Sequence, residues 1–546
     1  MFLILQTIFQ LPLLIRKWIE PNLRFFLANR QPIVWVLAIG IGAFVAVSAI
    51  LFRIGIGLVQ WTWLGTMSER VDEPASQLPW FIILAAPCIG GLLVGILLQT
   101  VQWKQRTGGV ADVIEARASG TSGLPFWPGI SSALITVLSL GSGGSAGREG
   151  PVVHLGATIG TALCCKLNLP DAARRTLLAC GVASAVSASF NAPIAGVLFA
   201  HEVILGHYAI TAFVPIAIAS TVGTLIARLY FGNTAAFIIP DYQIISLWEF
   251  PAFALLGLVC AAVAILFQFG VIGTDWFARN IKMPLWFRPM LGGLLVGLIA
   301  LAYPEVLGVG YASTDNALKA NLSLSLMLAL LIAKTAATAI TLASRFGGGV
   351  FSPSLYLGAM AGGSFGLIAA QVFPELASSY GLYAILGMGA VAAAVLGAPF
   401  STTMIVFELT GGYTLSIALL MTVSIATGLT QAIHGRSYFH WQLEMRGVML
   451  QDGPHKWLVQ IVHVSDFMDP PRSGTEREFF PDEETPYLTT DDTLEEALQT
   501  FNKTGTATLP VVDAKNPNHL AGYASHVRAL RYFNSALIKA NEEEHR

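Results

Sequence analysis

Seven stretches of this chain, 33–51, 77–103, 118–147, 250–274, 346–374, 376–407 and 409–434, contain no Asp, Glu, Lys or Arg. A segment of about 20 apolar residues crosses a bilayer. Runs of this kind, repeated along one chain, leave a single class open: a polytopic membrane protein. Only 12% of the residues are charged and 54% are hydrophobic, whereas a soluble globular chain carries about 25% charged residues. That balance excludes an ordinary soluble enzyme, a disordered chain and a nucleic-acid-binding protein. The net charge of −2 points to no polyionic partner. Cys88, Cys164, Cys165, Cys180 and Cys260 lie in apolar sequence without metal-ligand spacing, and read as small buried residues.

Charge is unevenly spread. The last 96 residues hold 16 Asp and Glu against 9 Lys and Arg. This marks a domain boundary: a membrane domain over 33–447, then a soluble acidic domain over 448–546, joined through a Pro- and acid-rich linker over 447–485. Residues 1–32 lack the basic start and small-residue cleavage site of a secretory signal. They read as an interfacial amphipathic helix. Arg16, Lys17, Arg24 and Arg30 precede the first long apolar run, which favours a cytoplasmic N-terminus; the C-terminus is expected on the same side.

Several apolar runs are cut by glycine and proline into pieces too short to cross alone, such as 130–140, 152–164 and 355–369. Pieces of this length are expected as half-helices ending inside the protein, around a site near mid-membrane. The chain also repeats itself. Pro151-Val-Val-His-Leu-Gly156-Ala157 matches Pro353-Ser-Leu-Tyr-Leu-Gly358-Ala359, 202 residues on. Ala192-Pro193 stands before Glu202 as Ala398-Pro399 stands before Glu408, 206 residues on. Two landmarks in one order at nearly one offset define two structural repeats, about 33–231 and 246–434. Spacing alone leaves parallel and inverted repeats equally open.

In each repeat a Gly-rich segment runs into an apolar helix with proline in its first turn: 141–151, ending in Gly147-Arg148-Glu149-Gly150-Pro151, and 347–353, ending in Val350-Phe351-Ser352-Pro353. A helix N-terminus presents unpaired N–H groups and about half a positive charge. Two such ends facing each other would hold an anion without a full cation, which suits release. The glycines would equally serve close helix packing. Glu149 favours the first reading. An ionisable side chain inside a charge-poor span is a functional candidate, and a carboxylate here competes with an anion for the same donors. It would act as gate and proton acceptor, unless Arg148 or Lys166 merely neutralises it. Glu202 and Glu408, at the ends of apolar helices, read either as capped carboxylates or as proton-path groups. His154 and His201 read as packed histidines.

These motifs resemble the CLC family of chloride channels and chloride/proton exchangers. Gly147-Arg148-Glu149-Gly150-Pro151 corresponds to its GREGP motif and Gly349-Val350-Phe351-Ser352-Pro353 to its GxFxP motif. Phe190-Asn191-Ala192-Pro193 and Phe407-Glu408-Leu409-Thr410 fit its flanking helices. The resemblance implies an all-α polytopic fold with an inverted repeat of broken helices, and a homodimer with one pore per subunit. It implies that Glu149 is the extracellular gate, and that Gly147 and the backbone amides of Arg148, Glu149, Val350, Phe351 and Ser352 hold chloride. Neither a catalytic group nor a required cofactor follows from it.

Three positions depart from the exchanger pattern. Gly108, in Thr107-Gly108-Gly109-Val110-Ala111, stands where the family's anion-binding serine is expected, which weakens preference for chloride over nitrate. Val203 stands where the inner proton glutamate is expected, beside Glu202. The pore tyrosine falls on Tyr438 or Phe439. Losing hydroxyl donors to an anion costs about 1.5–3 kcal/mol each. The expectation is therefore a gated anion channel, with a chloride/proton exchanger as the alternative, and another broken-helix symporter as a weaker rival. A divalent-cation channel would need several intramembrane carboxylates, and an enzyme would need a metal cluster or Ser/His pairing within the spans; neither pattern is present.

The tail over 462–535 resembles a single CBS motif of α/β type. Thr493 and Glu496 form a capping-box pattern, 509–513 and 519–525 read as strands, and a helix starts near Val527. Such motifs work in pairs, which implies pairing with a twin subunit. The resemblance admits an adenine nucleotide there, or dimerisation alone.

Overall fold

The structure, a computed structural model, describes residues 17, 19–21, 23–24, 26–27, 31–102, 104–119, 123–167, 169–232, 237, 240, 242–244, 246–375, 378–410, 413–448, 459, 462–471, 486–514 and 516–545. The amphipathic helix expected over 1–32 and the linker expected over 447–485 lie largely outside the described residues. Two compact units are present, one ending at Ser437 and one starting at Tyr438.

The first unit is helical among the described residues. Its first half runs α1 (Gln31–Leu64), α2 (Trp80–Thr100), α3 (Val110–Ser119), α4 (Phe126–Gly141), α5 (Glu149–Leu167), α6 (Asp171–Phe190), α7 (Pro193–Phe199) and α8 (Ile210–Phe231). The second runs α9 (Phe250–Asn280), α10 (Phe287–Ala302), α11 (Tyr311–Leu318), α12 (Leu324–Ala343), α13 (Phe351–Val372), α14 (Tyr380–Leu396), α15 (Pro399–Thr410) and α16 (Tyr413–His434). Among the described residues, seven helices are long and apolar enough to cross a membrane. Large apolar side chains such as Phe44, Trp127, Leu229 and Ile332 stand exposed on the helices, the pattern of a surface that faces lipid.

The 355–369 piece is longer than its sequence implies. It belongs to α13, which spans Phe351–Val372 and is one of the seven. Pro353 falls in the first turn, where a missing N–H costs nothing. The glycines of α13 stay helical because they pack on α14. By contrast α4, with 16 residues, remains short.

The repeats are related by reciprocal contacts. α5 packs on α6 as α13 packs on α14, and α8 on α6 as α16 on α14. Gly156 and Gly181 face each other so closely that a Cβ on either would overlap the other's carbonyl oxygen; Gly358 and Gly387 do the same. Between the halves, Gly91 of α2 abuts the Pro289 carbonyl of α10, while Gly293 of α10 abuts the Pro87 carbonyl of α2. Contacts of the form i to j and j to i are the signature of a two-fold relation. Local stops repeat too. Asn191 (φ 58°) and Gly397 (φ 67°) close α6 and α14 in the left-handed region, and Pro193 and Pro399 open the next helices.

The second unit begins with α17 (Tyr438–Glu444). A three-stranded sheet of β1 (Leu488–Thr489), β2 (Thr508–Asp513) and β3 (Asn516–Ser525) follows the order β1-β2-β3, the first pair parallel and the second antiparallel. α18 (Leu494–Thr504) and α19 (His526–His545) complete it. Leu488, Leu494, Phe501, Leu509, Val511 and Ala529 share its core. Thr493 caps α18: its Oγ1 accepts from Glu496 N (3.2 Å), and Glu496 Oε2 accepts from Thr493 N (2.8 Å). The Thr493 backbone N–H and hydroxyl hold the Glu496 carboxyl below its usual range.

Candidate functional site

The two Gly-rich segments meet. Gly147 N donates to Gly349 O (2.7 Å) and Gly349 N donates to Gly147 O (2.8 Å), an isolated antiparallel bridge between the repeats. Ser139 Oγ donates to Gly347 O (2.8 Å) and Ser145 N donates to Thr341 Oγ1 (3.2 Å), fixing the flanks. α5 and α13 both start at this bridge. Their N-terminal N–H groups and partial positive charges therefore converge. Gly147 contributes close approach rather than a donor, because its own N–H is committed to the bridge.

Glu149 crosses from one repeat to the other. Its side chain starts on α5, and its Oε1 accepts from Ser352 Oγ (2.5 Å) in the first turn of α13 and from Tyr311 Oη (2.7 Å) on α11. Glu149 is 2% exposed, and its buried Oε2 has no hydrogen-bond partner among the described residues. Arg148, Val350, Phe351 and Ser352 are buried around it. The Phe351 ring lies 5.1 Å from that of Phe190 and 6.1 Å from that of Phe199, centroid to centroid. A small anion in place of the carboxylate would inherit the Ser352 and Tyr311 hydroxyls and the first-turn N–H groups.

Arg148 does not neutralise Glu149 through an ion pair. Its guanidinium pairs with Glu69, which also pairs with Arg53 (2.7 Å), and lies 5.0 Å from the centre of the Tyr311 ring. Arg53, Glu69, Arg148 and Arg228 line a cavity of about 90 Å³. The Lys166 side chain lies outside the described residues.

Tyr311 was not legible as a partner of Glu149. It follows Gly310, which is left-handed (φ 89°), in a loop braced by a second unforeseen residue. Lys334 of α12 is fully buried; its Nζ donates to Val306 O and Gly308 O (2.9 Å each) and lies 5.2 Å from the Tyr356 ring centre. The available signal was a lone lysine in an otherwise apolar helix. Tyr311→Phe removes one donor to an ionised carboxylate, worth about 1.5–3 kcal/mol, or about one to two pH units. That donor favours the charged, seated form, so its loss shifts half-activation to higher pH, read from chloride flux against pH. An unchanged midpoint rules out a gate-holding role for Tyr311.

Glu202 and Glu408 are reciprocal helix caps. Glu202 accepts from Phe400 N (3.0 Å), Ser401 N (2.7 Å) and Ser401 Oγ (2.6 Å) at the start of α15. Glu408 accepts from Ile194 N (3.0 Å) and Ala195 N (2.8 Å) at the start of α7. Each carboxylate satisfies N–H groups that a helix start leaves orphaned. Both Glu202 oxygens are committed in this way. Glu202 and the half-buried Val203 lie in a single π-helical stretch, Ala200–Leu205. His201 stacks with Tyr208 and Phe213, and its Nδ1 lies 2.9 Å from His207 O.

Gly108 is placed against His154. Its N–H donates to Ser132 Oγ (2.7 Å), and a Cβ at this position would overlap the His154 imidazole. With that N–H committed, Gly108 has no donor left for an anion. Tyr438 and Phe439 belong to α17 in the second unit; both are buried, and Gln442 Nε2 donates to Tyr438 Oη (2.9 Å).

A carboxylate seated across two converging helix N-termini, between two-fold related repeats of a membrane domain, defines a class: anion transporters built on broken helices. Residues 90–431 match the family described as voltage gated chloride channel, and the chain belongs to that CLC family. It is similar to a putative chloride channel protein ClcB-like of Ralstonia nicotianae, 34% identical over 388 residues that cover 70% of this chain and 90% of the relative. It is also similar to the H(+)/Cl(−) exchange transporter ClcA of Cronobacter sakazakii, 32% identical over 68% of this chain and 82% of the relative. Its fold matches the crystal structure of a slow cyanobacterial Cl−/H+ antiporter with a TM-score of 0.68 at 22% identity, over 76% of this chain and 97% of the other. The chain is thus an integral membrane protein of CLC-type anion transport.

Proposed function

We propose that this chain is a gated chloride pathway in which Glu149 is the gate and proton acceptor. The observation that carries this is the seat itself: Oε1 holds two short hydroxyl donors while Oε2 is buried without a partner. A buried carboxylate oxygen with nothing to accept from is costly. Protonation, or departure from the seat, relieves it and frees the donors for chloride, nitrate or another small anion. The first-turn amides of Arg148, Glu149, Val350, Phe351 and Ser352 complete the anion site.

Coupling has two readings. The commitment of both Glu202 oxygens and the valine at 203 favour an uncoupled channel. The 32% identical relative named as an exchange transporter favours proton exchange. The reversal potential in a planar bilayer with equal chloride and a pH gradient separates them. A value of zero, with a Nernstian response to a chloride gradient, is the channel result; a displaced value is the exchanger result. No chloride current from folded protein overturns both.

The two-fold relation of the repeats supports an inverted arrangement in the membrane. The homodimer is carried by the family resemblance. The parallel-plus-antiparallel sheet with α18 and α19 supports a CBS-like cytoplasmic tail that pairs with its twin, takes an adenine nucleotide, or does both.

A further inference from the structure

We propose that His154 is a proton carrier of this protein, passing protons between the polar cavity it lines and Glu149. This rests on Glu149 being the gate, and it holds for a channel and for an exchanger alike.

Three observations converge on His154. First, it lies on α5 five residues beyond Glu149, about 7.5 Å farther along the helix axis and about 140° around it, a gap that a chain of waters rather than a single side-chain swing has to span. Second, its imidazole occupies the space that any side chain at position 108 would fill. The glycine that removes a hydroxyl from this region therefore makes room for a titratable ring. Third, His154, although 93% buried by its 7% exposure, borders a cavity of about 140 Å³ that Lys104, Arg106, Gly108, Asp112 and Glu115 also line. A polar space of that size holds water. The position therefore puts a titratable ring at a wet cavity, on the same helix that carries Glu149.

The other groups facing the imidazole suit this role less well. From α3, Asp112 receives Arg106 bidentately (2.9 and 2.6 Å) and Gly109 N (2.9 Å), so both oxygens are held. Glu115 lies one turn farther along α3, at the cavity. Lys104 and Arg106 bring positive charge from the preceding loop and Asp112 negative charge from α3. α4 contributes Pro128 and Gly129 to the cavity and no titratable group there. Elsewhere, Val203 cannot carry a proton and Glu202 is a cap. Among side chains, an unperturbed imidazole has the proton affinity nearest neutral pH. The step balances simply: His154 takes a proton from cavity water, delivers it to the Glu149 carboxylate, and returns to its neutral form.

The test uses the full chain in excised membrane patches, where every copy faces one way, with pH varied on each face separately. Below its midpoint a one-proton step changes occupancy about tenfold per pH unit. Wild type is expected to respond to pH on both faces. His154→Gln is expected to lose the response on one face and keep it on the other, while Glu149→Gln loses both. Gly108→Ala, whose methyl group displaces the imidazole, is expected to reproduce the one-sided loss and serves if His154→Gln does not fold. His154→Gln and Gly108→Ala responding on each face as wild type does would overturn the proposal, as would a one-sided wild-type response unchanged in both. A Glu149→Gln protein that still responds like wild type would instead defeat the gate reading itself.

Discussion

Glu149→Gln is expected to conduct at neutral pH as wild type does only in acid, and to gain nothing further from acidification. The seated carboxylate accepts two hydroxyl hydrogen bonds at 2.5 and 2.7 Å. A hydrogen bond to an ionised acceptor is worth about 1.5–3 kcal/mol and a neutral one about 0.5–1.5 kcal/mol. Neutralising the side chain therefore weakens its seat by about 2–3 kcal/mol, on the order of a hundredfold in the gate equilibrium. The amide also replaces the unpartnered Oε2 by an N–H₂ group, which belongs in water rather than in this buried pocket. Chloride flux from liposomes between acid and neutral pH reads the effect directly. A folded variant whose flux has stopped would mean that Glu149 braces the two repeats and is not a gate.

Glu149 was legible in the sequence as a candidate gate because all of its signals are local. A carboxylate preceded by Gly147 and followed by Gly150-Pro151 announces a helix start with an ionisable side chain on it, and the same punctuation recurs at Gly349 to Pro353. The repeat was legible for the same reason: Pro193 and Pro399, like Glu202 and Glu408, keep one spacing. What spacing does not carry is which group each side chain meets. That Glu202 caps the helix opened by Pro399, and Glu408 the helix opened by Pro193, needs the two-fold relation, which exists only in three dimensions. Tyr311 approaches Glu149 across 162 residues and Ser352 across 203, and only Ser352 sits in a recognisable motif. Arg148 stands beside Glu149 in the chain, yet its ion pair goes to Glu69, 79 residues away. Neighbours in sequence at a helix start point in different directions, so the alternative in which Arg148 neutralises Glu149 by an ion pair does not hold.

The strongest contrast is expected between two glycines that look equivalent. Gly147 and Gly349 are partners in the bridge, one from each repeat. A Cβ built on Gly147 lies 2.8 Å from Glu149 Oε2, 3.0 Å from Ser352 N and 3.1 Å from Gly349 O. The last two are backbone atoms beside hydrogen bonds of 2.7 and 2.8 Å and have little room to move. The far end of the Glu149 side chain is the neighbour that gives way. A Cβ on Gly349 finds its nearest atoms, Gly150 Cα and N, at 3.4 Å, an ordinary contact. Gly147→Ala is therefore expected to push the carboxylate from its seat. Overpacking of this kind costs about 1–3 kcal/mol, which raises neutral-pH flux about tenfold to a hundredfold and moves half-activation to higher pH. Gly349→Ala is expected to keep the wild-type pH profile. Parallel pH–flux titrations of the two variants decide the matter. Equal effects, or a folded Gly147→Ala protein with wild-type gating, would show that the Glu149 seat is not the element that closes the pathway.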